Sequence, residues 1–482
     1  MKPARLLELV QPITISGEIT EEINHVTSDS RKVQKGSCYV AIKGYTVDGH
    51  EFIDAAKNAG AKIIIGEKSI SPDGYYYLKV KDSRKVLAPL VFETHGNPQQ
   101  KMRFIGVTGT NGKTTVSTLV YQSLTKLGFK TGLMGTIKTI IGLHEKTSTH
   151  TTGNPEYLAE TFSEMVEEGV SVCVMEVSSH ALDQRRTEGI SFDVAIFTNL
   201  SHDHLDYHQT ESAYLNAKKL LFDGLSDNAI AIINTDDKAA SDIISDCKAT
   251  IWEYGFKNSE SQVVSNTSDG LVLQIDETTI STPLSGLFNA YNVSAAWLAC
   301  KAVGCSSQNV ATVLAEVTGA EGRLQKITSE FGSTIFVDYA HTPDALKNVT
   351  STLAEVKGKG SLITVFGCGG DRDRSKRPVM ASIACEYSDY VVITSDNPRT
   401  ENPASIIDEI VKGIPSGFTS FKQIEDRREA IQYAISLAKP EDIVLIAGKG
   451  HETYQEVNGV RHHFDDVEEV QSALNLLKKG SA

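Results

Sequence analysis

Short apolar runs that end in polar, glycine-bearing loops, each followed by helical periodicity, recur along most of this 482-residue chain. The sharpest example begins at Arg103. Phe104, Ile105 and Val107 make a strand-like run that ends in Thr108-Gly-Thr-Asn-Gly112. Beyond it, Val116, Leu119, Val120, Leu124 and Leu127 recur at three- and four-residue steps, the repeat of one buried helix face. Runs of the same kind occupy residues 171–177, 192–198 and 229–234, and again 334–339, 361–367, 390–394 and 443–447. Ahead of them, residues 36–42 and 61–66 read as strands around a helix over 53–59. Residues 214–222 and 287–302 read as helices, and residues 251–282 as short alternating strands joined by polar turns. Strands alternating with helices predict an α/β fold with mostly parallel sheets. The length exceeds one core, so three domains are expected, over 1–97, 98–321 and 322–482. Asn97-Pro-Gln-Gln-Lys101 reads as the linker between the first two.

The loop at 108–112 carries chemistry as well as a turn. Glycines let backbone N–H groups converge on an anion, the helix N-terminus adds partial positive charge, and Lys113 adds a full one. Thr114 stands where a hydroxyl can ligate Mg²⁺. The spacing departs from the strict G-x-x-x-x-G-K-[ST] rule: Val107 takes the place of the first glycine, and the glycines are Gly106, Gly109 and Gly112. The central segment is therefore read as a P-loop-type nucleotide-binding domain.

Loops after parallel strands gather at one sheet edge, where ligands bind. Glu176, near the end of one run, and His204, in the loop after another, can thus meet the phosphate loop. A carboxylate and an imidazole beside Thr114 would suit a second Mg²⁺ bridging phosphate and acceptor. His202 and His208 share the His204 loop and His180 precedes it, so a solvated polar loop is the competing account. Lys218 and Lys219 follow on a helix about 100° apart, and only one of them can face this edge. In the last third, four runs deliver Asp338-Tyr339, Cys368-Gly-Gly-Asp-Arg372, Ser395-Asp-Asn-Pro-Arg399 and Gly448-Lys-Gly-His-Glu452. Singly, Asp-Asn-Pro-Arg399 is a turn at a strand end. Four such loops at one edge are better explained by a zwitterionic ligand, with Arg clamping a carboxylate and Glu holding an ammonium.

Composition narrows the class. Apolar content of 40% and charged content of 22% suit a soluble globular chain. Lys and Arg number 47 against 61 Asp and Glu, and the net charge of −14 argues against sequence-independent nucleic-acid binding. An anionic substrate must then be held by local Lys and Arg inside a cleft. The seven cysteines are scattered and never form a C-x-x-C pair, which reads as reduced thiols without a zinc site. Cys368 is read as a small packing residue. With no sustained apolar stretch at the N-terminus and no run of membrane-spanning length, a cytoplasmic protein without a membrane partner is expected.

Together these motifs resemble the Mur ligases of bacterial cell-wall synthesis, over essentially the whole chain and in order. Thr-Gly-Thr-Asn-Gly-Lys-Thr-Thr115 is shared with that superfamily, including its folylpolyglutamate synthase relatives. His-Asp-His-Leu-Asp-Tyr-His208, Asp-Tyr-Ala-His-Thr-Pro-Asp344 and Asp-Asn-Pro-Arg399 are similar to the branch that adds the third peptide residue. The resemblance implies an N-terminal UDP-sugar-binding α/β domain, a central ATP-binding domain and a C-terminal Rossmann-like amino-acid-binding domain. Ser30 resembles a contact to the UDP-sugar, with residues 44–49 nearby. Thr151, Thr152, Ser178, Gln184 and Arg186 resemble contacts to a UDP-N-acetylmuramoyl-dipeptide. Gly109, Thr110, Asn111, Gly112, Lys113, Thr114 and Thr115 would hold the ATP phosphates, with Asn289, Arg323 and Asp338 on the rest of the nucleotide. Thr114, Glu176 and His204 resemble the ligands of two Mg²⁺ sites. Lys218 matches the lysine that such ligases carbamylate to N6-carboxylysine, so Lys113, Glu176, His204 and Lys218 form the implied catalytic set. The preference for Lys218 over Lys219 rests on the family pattern. Arg372, Asp396, Asn397, Pro398, Arg399, Gly448 and Glu452 resemble the amino-acid pocket. Arg399 suits the distal carboxylate of meso-2,6-diaminopimelate, which lysine lacks.

The implied chemistry is ATP-driven amide formation. The γ-phosphoryl group moves to the D-glutamyl γ-carboxylate of UDP-N-acetylmuramoyl-L-alanyl-D-glutamate, giving an acyl phosphate and ADP. An amine of diaminopimelate then attacks, and a tetrahedral intermediate expels phosphate. Positioning and charge stabilisation are what such chemistry needs. Water must be excluded, so closure of the C-terminal domain over the central one is expected. A monomer acting on small-molecule substrates is expected. The alternatives are the same ligase adding L-lysine or another diamino acid, a folylpolyglutamate synthase-like ligase, and a nucleotide-dependent switch that joins nothing.

Overall fold

The computed structural model describes residues 1–148, 150–257 and 259–480. The chain divides into two compact units, one of residues 1–255 with 298–305, the other of residues 256–297 with 306–482.

The first unit holds two sheets. Its five-stranded sheet runs in the order Thr14–Ser16, Tyr76–Lys79, Ile63–Gly66, Cys38–Val40, Val26–Thr27, parallel except for the first pair. Its eight-stranded sheet runs Thr250–Tyr254, Ile230–Asn234, Val194–Phe197, Arg103–Thr108, Val172–Glu176, Thr131–Met134, Lys138–Ile141, His144–Thr147. The first six strands are parallel, and the last two extend the edge as an antiparallel hairpin. One apolar core serves both sheets: Phe92 of the helix Ser83–Thr94 packs 5.9 Å from Phe162, whose ring lies 4.9 Å from Phe104. The stretch expected as a linker is instead a packed corner. Pro98–Gln100 makes one tight turn in which Pro98 and Gln99 are buried, because the helix Pro155–Glu167 covers it.

Helix starts follow local chemistry. Asn154 caps Pro155–Glu167 by accepting from Tyr157 N, and Thr210 caps Glu211–Asp223 by accepting from Ala213 N. The helix Lys113–Lys126 opens differently, on Gly112 at φ +87°, which has no side chain with which to cap.

The second unit holds the antiparallel sheet Gln262–Thr267, Gly270–Ile275, Thr278–Thr282, so the β-rich stretch expected at 251–282 is shared between two sheets. Its six-stranded sheet runs Gln325–Thr328, Thr334–Asp338, Ile443–Ala447, Leu362–Phe366, Tyr390–Ile393, Phe421–Gln423, parallel apart from the first strand. Side chains alternate between two cores. Leu362, Phe366, Val391 and Leu445 belong to one, and Ile363, Val365, Val392 and Val444 to the other. Both faces are covered, which is why these strands read as unbroken apolar runs. No described helix is long and apolar enough to cross a membrane.

Candidate functional site

Register sets the ends of the central strands level. Glu176 pairs with Val107 and Phe197 with Thr108, so the loops that follow leave the sheet at one edge. Gly109 has φ +150°, and a Cβ there would lie 1.9 Å from Thr198 Oγ1. Only glycine fits that approach. The loop after Phe197 then laces the phosphate loop into shape. Thr110 N donates to Asn199 O (2.8 Å), Asn111 N to Asn199 Oδ1 (3.0 Å), and Thr198 Oγ1 to Asn111 O (2.6 Å). Lys113 Nζ donates to Gly109 O (2.9 Å) and Thr110 O (2.8 Å).

Thr114 Oγ1 donates to Glu176 Oε2 at 3.1 Å, and Glu176 is buried. Thr136 holds both oxygens of that carboxylate, its N donating to Oε1 (2.8 Å) and its Oγ1 to Oε2 (3.0 Å). A hydroxyl and a carboxylate meeting beside a helix N-terminus are the hard oxygen donors that Mg²⁺ takes, alongside waters and phosphate oxygens. Among the described residues no three His, Cys, Asp or Glu side chains form a cage of their own, and a phosphate-bound Mg²⁺ needs none. His204 sits at φ +53°, a conformation that costs a non-glycine residue roughly 1–3 kcal/mol. Burial, opposed by Asp203 and aided by the charges of Lys113 and Lys218, holds its imidazole below the ordinary 6.5. A neutral ring is the form that binds a metal.

Lys218 is 1% exposed, with Nζ donating to Gly109 O at 2.8 Å and lying 4.4 Å from the Tyr214 ring centroid. Its ammonium and that of Lys113 share one carbonyl. Burial first, then the charge of Lys113, lower its pKa well below 10.5, against the pull of Asp203. Lys219 turns the other way and pairs with Asp223 and Asp246, each at 2.5 Å.

The residues matched to the muramoyl-dipeptide form one network. Thr152 Oγ1 donates to Glu176 O (2.8 Å) and accepts from Ser178 N (3.1 Å). Arg186 donates to Thr152 O (2.9 Å) and twice to Gln184 Oε1 (3.1 and 2.7 Å). Thr151 Oγ1 lies 3.0 Å from Thr136 Oγ1. Beside them opens a cavity of about 720 Å³, lined among others by Gln184, Arg186, Ser28, Lys32, Thr46 and Arg84. Ser30 stands on the short turn Ser30–Lys32, between Ser28 and Lys32, and Gly44 and Tyr45 also border the space. Glu156 and Glu160 also line it, and the volume, with Lys32, Arg84 and Arg186 on the wall, suits a ligand of nucleotide-sugar size. Tyr45 reaches further: its hydroxyl donates to Asp183, which also accepts from Tyr207 OH (2.8 Å), and its ring lies 4.7 Å from that of Tyr207.

In the second unit, parallel pairing sets Asp338 beside Ala447 and Phe366 beside Ile393, so the four chemistry-bearing loops emerge at one edge. Asn397 Nδ2 donates to Glu452 Oε2 (2.9 Å), and Gln455 Nε2 to Asp396 O (2.8 Å). Gly448 at φ +124° makes room for Asp396, whose Oδ2 would lie 2.7 Å from a Cβ there. Arg399, at φ +52°, donates from Nη1 to Gly370 O (2.8 Å). Pro398 presses so close that a Cβ on Gly370 would meet its carbonyl oxygen at 2.0 Å. Exposed Arg372 donates to Asp371 O (3.2 Å). Asp338 accepts from Leu324 N (2.6 Å) and Ala340 N (2.8 Å), and burial raises its pKa against the charge of Arg323. Arg323 lies 5.0 Å over the Tyr339 ring. Asn289 is buried, donating to Ser285 O (2.8 Å).

Several participants carried no signal of their own in the sequence. Thr136 and Asp183 belong to unremarkable segments, and Tyr45 stood out only as part of the 44–49 stretch that the resemblance sets near the UDP-sugar. Arg377 is buried yet bonded to Glu401 and Glu409, tying the Gly369–Arg372 and Arg399–Glu401 loops together, while Glu401 Oε1 accepts from Asp371 N (2.6 Å). Lys449 did have a signal, being a cation between two glycines at the end of a buried strand.

Comparison with known proteins agrees along the chain. The Mur ligase family catalytic domain profile matches residues 22–91, the Mur ligase middle domain residues 107–300, and the Mur ligase glutamate ligase domain residues 322–450. The chain is 42% identical to the UDP-N-acetylmuramoyl-L-alanyl-D-glutamate–2,6-diaminopimelate ligase of Cytophaga hutchinsonii, over 98% of this chain and 99% of that one. A solved structure of a ligase of that name is similar at TM-score 0.75 and 34% identity, covering 98% and 99% of the two chains. Mycobacterium tuberculosis folylpolyglutamate synthase complexed with ADP, at TM-score 0.59 and 21% identity, covers 76% of this chain and 91% of its own, a likeness of fold alone.

Proposed function

The chain belongs to the Mur ligase family, and we propose that it joins meso-2,6-diaminopimelate to the D-glutamyl γ-carboxylate of UDP-N-acetylmuramoyl-L-alanyl-D-glutamate at the expense of ATP. The observation that carries this reading is Glu176. Its carboxylate meets Thr114 of the phosphate loop, and its carbonyl accepts from Thr152 on the acceptor side, so one residue borders both nucleotide and acid.

The Gly109–Thr115 loop orients the γ-phosphate toward the acceptor carboxylate, and Lys113 offsets charge as the phosphoryl group passes. Thr114, Glu176 and His204 would hold Mg²⁺, which when bound neutralises charge between phosphate and carboxylate oxygens. Phosphoryl transfer leaves an acyl phosphate, which the incoming amine attacks with release of phosphate. Lys218 is carbamylated: its amine, kept neutral by burial, forms an N–C bond to CO₂ and yields its proton to solvent. A buried neutral amine becomes an anion beside the phosphate loop. In the second unit, Arg399 clamps the distal carboxylate of diaminopimelate, with Glu452 and Asp396 on its ammonium and Arg372, Asn397, Pro398 and Gly448 shaping the pocket. Asn289, Arg323 and Asp338 serve the nucleoside.

The reading divides the chain into UDP-sugar (1–97), ATP (98–321) and amino-acid (322–482) domains, a division that the three profile matches support. It places a monomer in the cytoplasm. The test supplies ATP, the UDP-muramoyl-dipeptide and one amino acid at a time, follows phosphate release and weighs the product. Release that requires all three, with diaminopimelate in the product, is expected. Preference for L-lysine would overturn the amino-acid assignment, and phosphate release without either co-substrate would overturn the ligase reading.

A further inference from the structure

The interior of the second unit contains a lysine that the functions assigned above leave unused. Lys449 follows the strand Ile443–Ala447 and its side chain is fully buried. Its Nζ lies 3.2 Å from Asn397 Oδ1, 3.2 Å from Glu452 Oε2 and 4.0 Å from Asp396 Oδ1. All three partners belong to the amino-acid pocket proposed above. Buried charge without a partner is unfavourable by far more than a surface ion pair gains, so such a cation persists only where its surroundings need it.

Two consequences follow from these contacts. The first concerns orientation. Asn397 Oδ1 accepts from both Lys449 Nζ and Glu456 N (2.9 Å), which fixes the oxygen end of the amide and directs Nδ2 to Glu452 Oε2 at 2.9 Å. Glu452 Oε2 accepts from Asn397 and Lys449 together, so the carboxylate is pinned on one side. The second concerns charge. Asp396 and Glu452 would otherwise place two negative charges at the ligand's ammonium. Arg427, also buried nearby, is already matched by Asp466 at 2.8 and 2.7 Å. Lys449 cancels one of the two, leaving one net negative charge from that pair for the ammonium, while Arg399, whose Nε lies 3.9 Å from Glu456 Oε2, remains for the carboxylate.

We propose that Lys449 is a positioning and specificity-determining residue of the amino-acid pocket beside Arg399, holding Asn397 and Glu452 in place and tuning the charge to the zwitterionic head of a diamino diacid rather than to a simple cation. The proposal rests on the diaminopimelate reading. Lys449→Met removes both charge and donor, while Lys449→Gln keeps a donor and removes the charge. For Lys449→Met the KM for diaminopimelate should rise about 10- to 100-fold, as expected when buried hydrogen-bond partners of charged groups are lost. The KM values for ATP and the UDP-muramoyl-dipeptide should stay within about twofold, because the polar contacts of the Lys449 side chain are all to residues of the amino-acid pocket. In both variants the preference for diaminopimelate over L-lysine should fall about tenfold or more, since the second negative charge, no longer cancelled, favours a purely cationic side-chain end. Thermal melts establish that the variants are folded. Folded variants with unchanged diaminopimelate KM and unchanged preference would overturn the proposal, as would failure of both to fold, which would make Lys449 structural only. Wild-type enzyme run alongside separates the two readings: absence of diaminopimelate ligation would sink the parent assignment and this one together, whereas normal ligation with inert Lys449 variants sinks this one alone.

Discussion

Lys218 and Lys219 are neighbours in sequence and opposites in setting. One lies buried against the Gly109 carbonyl with a lowered pKa, and the other pairs with Asp223 and Asp246 at the surface. Because the folded pKa of Lys218 is lowered, the unfolded chain binds the extra proton. The unmodified lysine therefore weakens the fold most below its lowered pKa, and this effect vanishes as pH rises toward 10.5. Carbamylation needs the neutral amine, so its extent should rise as pH climbs through the lowered pKa of Lys218, below the range of an ordinary lysine. ¹³C-bicarbonate NMR on wild type and Lys218→Met reads this directly, with one pH-dependent carbamate signal expected in the first and none in the second. Activity of Lys218→Met should fall about 100-fold or more, the scale seen when a charge-stabilising group is removed. For Arg399→Ala, diaminopimelate KM should rise about 10- to 100-fold while ATP affinity, measured by calorimetry, stays put, because the proposed role of Arg399 is to bind the carboxylate of one substrate.

At the scale of elements, the loop between Thr108 and Lys113 shows what its neighbours impose. Adding a methyl group at Gly109 would drive it into Thr198 Oγ1, in a backbone conformation that side chains rarely adopt. Gly109→Ala should therefore weaken nucleotide binding about tenfold or more and lower the melting temperature, both readable by titrating ADP in thermal melts. An unchanged midpoint with full ADP stabilisation would show that the loop can re-form around the methyl group. Strand, loop and helix here were legible from Phe104 to Leu124 because apolar period and glycine placement are local properties. The hairpin Lys138–Ile141 with His144–Thr147 was not. Its outer strand is exposed along its length, so no apolar pattern announced it.

For the whole molecule, the chemistry demands that an acyl phosphate be shielded from water. Small-angle scattering should show the radius of gyration falling when an ATP analogue and the UDP-muramoyl-dipeptide are added together, and not with either alone. No compaction with both present would count against closure as the shielding device. The sequence by itself determined the α/β class, many of the parallel strands with the loops that follow them, and the phosphate loop with Lys113 and Thr114, since each depends on residues close together in the chain. The resemblance carried by its motifs supplied the remaining candidate residues one by one. Only the tertiary structure decided that Lys218 rather than Lys219 faces Gly109, that Thr136 grips Glu176, and that Lys449 lies among Asp396, Asn397 and Glu452. Those facts depend on helix rotation and on the register of strands far apart in sequence, where burial and pairing are settled by packing rather than by local pattern.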